Sequence, residues 1–201
     1  MTRQHVETMT EPLYISFATP DYDAHARRLV ESLDRFGLPH WVSLMPGTGS
    51  WVRNCAMKPE FVLRMMRRHP DRPVVWVDAD AVVRKYPALF GGLGVEADAA
   101  VCKYAWKRAR KTEVLSGTLY FENNGPSLAL VGRWADLQKQ APDVWDQRTL
   151  EEALATTPEA RVRNLPVEYC YITDFHRDEN PGMEPVIEHF QASRIARQKA
   201  P

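Results

Sequence analysis

The chain has 201 residues, a 44% hydrophobic share and a formal net charge of zero, its basic residues balancing its acidic ones. That length suits one core with no room for a second full domain, and the balanced charge means that any polyanion binding must come from a local patch. No run approaches the roughly eighteen apolar residues of a membrane span, the polar Met1–Glu7 lacks the apolar stretch of a secretory signal, and Cys55, Cys102 and Cys170 form no Cys-x-x-Cys pair; a cytoplasmic protein with reduced thiols is expected.

Leu13 to Ala18 is rich in aromatic and β-branched residues and reads as a strand. Thr19-Pro20 then reads as an N-cap followed by proline at the first helical position. Ala26, Leu29, Val30 and Leu33 keep the helical stripe, and Phe36-Gly37 closes it. A second strand is expected at His40–Leu44, a loop over Met45–Asn54, and a helix carrying Met57, Phe61, Val62, Met65 and Met66. Val74-Val75-Trp76-Val77 is apolar without alternation, as in a central parallel strand buried on both faces. Strands follow at Ala99–Cys102 and Gly117–Phe121, helices at Pro126–Gln140 and Asp146–Ala155, and short strands at Val162–Leu165 and Pro185–His189. Strands alternating with helices predict a three-layer α/β, Rossmann-like fold with a mostly parallel central sheet. One domain over 1–201 is expected, its core running from about 12 to 194, with polar termini at 1–10 and 195–201.

Two Asp-x-Asp triplets occur. Asp21-Tyr22-Asp23 opens a helix, where carboxylates favour the unpaired amides and the positive end of the dipole. Asp78-Ala79-Asp80 instead ends the buried strand, at the carboxyl edge where open α/β sheets bind ligands. Two carboxylates so close repel unless a cation or several donors sit between them, and hard divalent ions prefer such oxygen ligands.

The chain resembles the nucleotide-diphospho-sugar transferases of the GT-A fold, with glycogenin and the bacterial lipopolysaccharide galactosyltransferases as distant relatives. The resemblance rests on Ala18-Thr19 with Tyr22, on Lys58, and on Val74 to Asp80. Ser116-Gly117-Thr118-Leu119-Tyr120-Phe121, Asp146-Gln147 and His189 complete it. It implies a UDP-sugar or related donor, with Mn2+ or Mg2+ held by Asp78, Asp80 and His189. It further implies Lys58 near the donor phosphates, Ala18, Thr19 and Tyr22 around the nucleotide, and Asp146 and Gln147 facing the transferred sugar as catalytic residues. Each position also has a plainer reading: an edge histidine, a solvated lysine, a capped helix with a packed tyrosine, a solvent-facing helix start. Leu115 stands where glycogenin-like enzymes commonly carry asparagine, which leaves the stereochemical outcome open.

Lys103 to Lys111 interleaves cations, including Lys107, Arg108 and Arg110, with Tyr104 and Trp106. Phosphate attraction and base stacking favour such a surface for a polyanionic acceptor, either DNA or an acidic glycan. Two alternatives remain open: a haloacid-dehalogenase-like phosphatase using Asp78 as nucleophile, and a non-catalytic module binding nucleic acid or glycan through the basic segment.

Overall fold

The computed structural model describes residues 10–106 and 110–192. The first strand, β1 (Leu13–Ala18), pairs in parallel with β2 (His40–Leu44) on one side and β3 (Val74–Val77) on the other. Between β1 and β2 run a single 3-10 turn (Pro20–Tyr22) and α1 (Asp23–Arg35). Thr19 occupies the N-cap with Pro20 behind it, as expected, and Gly37 at φ +63° supplies the left-handed turn that ends α1. The first Asp-x-Asp is the opening of α1, where Asp23 pairs with Arg27 one turn on.

The expected loop over Met45–Asn54 is corrected in part. Ser50 caps a short helix, α2 (Trp51–Ala56), that leads directly into α3 (Lys58–Arg68). Its polar Arg53 and Asn54 break the apolar stripe, so periodicity alone missed it. The strands at 99–102 and 117–121 are also longer than expected. They form one antiparallel hairpin, β5 (Ala99–Trp106) and β6 (Lys111–Phe121), with a register shift between Val101 and Cys102. The flanks of the cationic segment are therefore strand, not loop. β6 lies antiparallel to β3, and β7 (Val162–Asn164) closes the sheet parallel to β5, giving the order β2-β1-β3-β6-β5-β7. Three of its ladders are parallel and two antiparallel.

The unalternating β3 is explained by its two faces. Val74 and Trp76 point to one cluster, where Phe61, Val62 and Met66 of α3 meet α4 (Gly125–Gln140) and α5 (Asp146–Thr156). Val75 and Val77 point to the other, against Leu29 and Leu33 of α1 and Phe90. Burial of each such side chain contributes about 1.5–3 kcal/mol, so a polar residue on either face is disfavoured. The second face is completed by a small sheet of which the sequence announced only the last strand: β4 (Ala81–Val83), β8 (Tyr171–Ile172) and β9 (Ile187–His189), in the order β4-β9-β8. α6 (Thr173–Glu179), also unforeseen, follows β8 directly. No helix of the described residues is long and apolar enough to cross a membrane.

Candidate functional site

The site begins where β3 stops. Val77 is the last residue in register with β6, and the Asp78 N–H then donates to the Gly117 carbonyl at 2.8 Å. A turn closed by the Ala81 N–H on the Asp78 carbonyl, 3.0 Å, places Asp78 and Asp80 at the sheet's carboxyl edge. Leaving that turn, β4 crosses into the small sheet, where Ala81 lies opposite His189 and Ile172 flanks it on the other side. A histidine more than a hundred residues away in sequence is thus brought beside the two aspartates by strand register. Ligand atoms of Asp78, Asp80 and His189 lie within 4.8 Å of one another.

Buried donors and charges tie this group down. Oδ1 of Asp78 accepts from the Trp76 indole at 2.8 Å and sits 3.0 Å from the Lys58 ammonium. Lys58 is buried and also lies 2.8 Å from Asp146 Oδ2, while donating to the Ser116 carbonyl at 3.2 Å. Burial would lower the lysine's pKa, but the Asp146 and Asp78 carboxylates outweigh it and hold the group above its ordinary value. Asp146 is fully buried, which pushes its carboxyl upward while Lys58 pulls it back. Burial also raises the Asp80 carboxyl, with the Asp78 charge adding to it, although the Ala192 N–H donates to Oδ2 at 2.8 Å. His189 is buried and that burial lowers its pKa against the pull of Asp78 and Asp80, which favours the neutral imidazole, the form that binds a metal. Its Nε2 is 2.9 Å from the Thr118 hydroxyl.

This donor set fits a hard divalent ion. Two oxygen ligands and one imidazole suit manganese or magnesium, and the electrostatic strain between Asp78 and Asp80 is what a cation relieves. Gly117 explains how the histidine reaches its place: a Cβ there would lie 2.9 Å from His189 Cε1 and 3.3 Å from Cys170 Sγ.

These residues line a cavity of about 830 Å3, which also takes in Ala18, Thr19, Tyr22 and Gln147. The structure therefore gathers every residue assigned from the sequence to donor, metal or sugar. Asp146 and Gln147 are buried, not the solvent-facing helix start of the plainer reading. Of the cationic segment, Lys107 and Arg108 lie outside the described residues, and Arg110 occupies a turn at φ +49° without lining the cavity, whereas Lys111 lines it. Arg53 stays outside and pairs with Asp143 at 2.7 Å. The sequence reading missed Trp76, Ser116 and Thr118 as partners of the charged group, and Trp51 and Trp145 on the cavity wall. Ser116 to Thr118 had entered only through the family resemblance. Cys170 also lines the cavity, but burial holds its thiol well above the ordinary range, which argues against a nucleophile.

A three-layer α/β sheet with paired aspartates at a strand end and a nucleotide-sized cavity defines the GT-A class of glycosyltransferase. Residues 44–199 match the family model described as nucleotide-diphospho-sugar transferase, and the chain belongs to that family. Among solved structures it is similar to a glycosyltransferase involved in glycosylating the major capsid of PBCV-1, at 14% identity and a TM-score of 0.70, over 94% of this chain and 98% of that one. It is also similar to GlyE of Streptococcus pneumoniae TIGR4, at 15% identity and TM-score 0.59, and to the bifunctional glycosyltransferase WbbM, at 14% and 0.53. It covers 90% and 94% of itself in these two matches, and only 54% and 47% of the partners' lengths. These likenesses show the fold. No curated protein gives a significant match. With the family shown, the phosphatase alternative falls away.

Proposed function

We propose that the protein is a metal-dependent glycosyltransferase that moves a sugar, a hexose in the simplest case, from a UDP-sugar or related donor to an acceptor hydroxyl. The observation that carries this reading is the cluster of Asp78, Asp80 and His189 on the wall of a cavity shared with Lys58 and Asp146. When bound, Mn2+ or Mg2+ would supply Lewis-acid stabilisation of the charge that develops on the departing diphosphate. Ala18, Thr19 and Tyr22 bound the nucleotide end of the cavity. Lys58, kept charged by Asp146 and Asp78, offers a fixed cation near the phosphates, which costs no reorganisation during reaction. Asp146 and Gln147 orient the sugar through its hydroxyls. In the transfer, the bond from the anomeric carbon to the diphosphate oxygen breaks, the acceptor oxygen takes its place, and the acceptor proton passes to water. Cys55, Cys102 and Cys170, none of them in a disulfide among the described residues, suit a reducing, cytoplasmic setting.

The test is manganese-dependent turnover of a panel of nucleotide-diphosphate sugars, with Asp80→Asn as the diagnostic variant. Turnover should be lost with the fold retained, by circular dichroism; undiminished turnover sinks the assignment. Wild type that binds no donor and transfers nothing would leave the protein a binding module. A polyanionic acceptor, DNA or acidic glycan, is a second reading, favoured by Trp106 and Lys111, which line the cavity at the last pair of the β5–β6 ladder. It requires an acceptor KM that rises steeply with salt.

A further inference from the structure

Trp145 directly precedes the buried Asp146, and the residue is 39% exposed on the wall of the same cavity. Trp51, the first residue of α2, lines that wall beside it, with ring centroids 5.8 Å apart and planes at 52°. Neither ring belongs to the hydrophobic clusters of the described residues. Trp145, exposed beside a reaction centre, forgoes part of the stabilisation that burial offers a side chain of this size, and the half-buried Trp51 leans against it. The tilt between the planes makes an angled wall, not a closed stack.

The charges around this wall select among ligands. The cavity's lysines in the described residues are Lys58 and Lys111, and both are paired: Lys58 with Asp78 and Asp146, and Lys111 with Glu113 at 2.9 Å. With both lysines already paired, no cation among the described lining residues is left over for a phosphate-bearing strand or an acidic sugar of the acceptor. An uncharged pyranose instead presents a C–H face to an indole while its rim of hydroxyls turns to polar neighbours, and Gln147 and Asn54 line the cavity to receive them. We propose that Trp51 and Trp145 form an aromatic wall that seats a neutral sugar ring of the acceptor beside Asp146, so that the acceptor is a neutral glycan.

This inference rests on the glycosyltransferase reading, and its test is built to fail separately. The full chain, in EDTA and without donor, is applied to an array of neutral oligosaccharides, acidic oligosaccharides and single- and double-stranded oligonucleotides. Retention is expected on neutral oligosaccharides and to be insensitive to added salt, because no ion pair forms. Trp51→Ala and Trp145→Ala should each weaken it about tenfold or more, whereas Trp145→Phe, which keeps an aromatic face, should retain most of it. Retention confined to oligonucleotides or acidic glycans, no retention on any neutral glycan, or retention unchanged in Trp145→Ala overturns the proposal. Wild-type hydrolysis of donor with manganese, run in parallel, reports on the transferase reading independently of glycan binding.

Discussion

Replacing Gly117 by alanine tests whether the approach of His189 to the paired aspartates depends on a missing side chain. The added methyl would stand 2.9 Å from His189 Cε1 and 3.1 Å from Nδ1, against about 3.4 Å for an ordinary contact, so the ring must retreat by about 0.5 Å. It has little room to do so. The imidazole is 4% exposed, sits in strand register between Ala81 and Ile172, and is tied through Nε2 to the hydroxyl of Thr118, the residue next to the substitution. Overpacking of this kind costs about 1–3 kcal/mol of stability. A ligand displaced or turned from its orientation lowers metal affinity about 10–100-fold. Calorimetric titration of the full chain with manganese should show that loss, with a lowered melting temperature beside it. A Gly117→Ala protein that melts with the wild type and binds manganese within about twofold of it would refute the reasoning, since the ring would then have had space to spare.

Lys58→Met should cost about 3–5 kcal/mol in urea denaturation, because it leaves the fully buried Asp146 without its cation, and adding Asp146→Asn should recover part of the loss; a cost under about 1 kcal/mol would count against the ion pair. His176 is buried among Tyr104, Trp106 and Tyr171, accepts the Ile172 N–H at Nδ1, and has its pKa lowered by burial from 6.5 to about 4. Between those values the unfolded chain binds the extra proton, so this group's contribution is intact above pH 6.5 and is lost as pH falls towards 4, by about 2–3 kcal/mol. His176→Gln, which keeps an acceptor for Ile172, should flatten that part of the acid dependence of unfolding; a wild-type slope retained in the variant would place its origin elsewhere.

Much of the fold was legible because burial on two faces leaves a mark in composition. Val74 to Val77 carries no polar residue since α3, α4 and α5 cover one side and α1 the other, and the same rule exposes Asp78 as the point where cover ends. The stripe through Ala26, Leu29 and Leu33 located α1 for a related reason. Some short elements left no such mark: β4 and β8 are three and two residues long, too few for a period, and α2 interrupts its apolar residues with Arg53 and Asn54. The hairpin arms of β5 and β6 were under-read because their outer halves carry charge, Lys103 and Glu113 among them, at positions paired across the ladder instead of buried.

The sequence by itself determined the layered α/β architecture, the aspartate pair at the end of its central strand and, through family resemblance, the residues expected around a nucleotide sugar. Only the tertiary structure decided that these residues meet. His189 reaches Asp80 because β9 pairs with β4 in one register and Gly117 leaves room for its ring. Lys58 becomes a bridge between Asp78 and Asp146 because α3 and α5 pack against the same sheet face, where a charge stripped of water must find an opposite charge or unfold its surroundings. Trp51 and Trp145 likewise meet only when α2 is laid against α5. Local sequence records what each residue buries, since solvent exclusion acts residue by residue. It does not record which distant chain supplies the partner, because strand register and helix docking are set by the whole core at once.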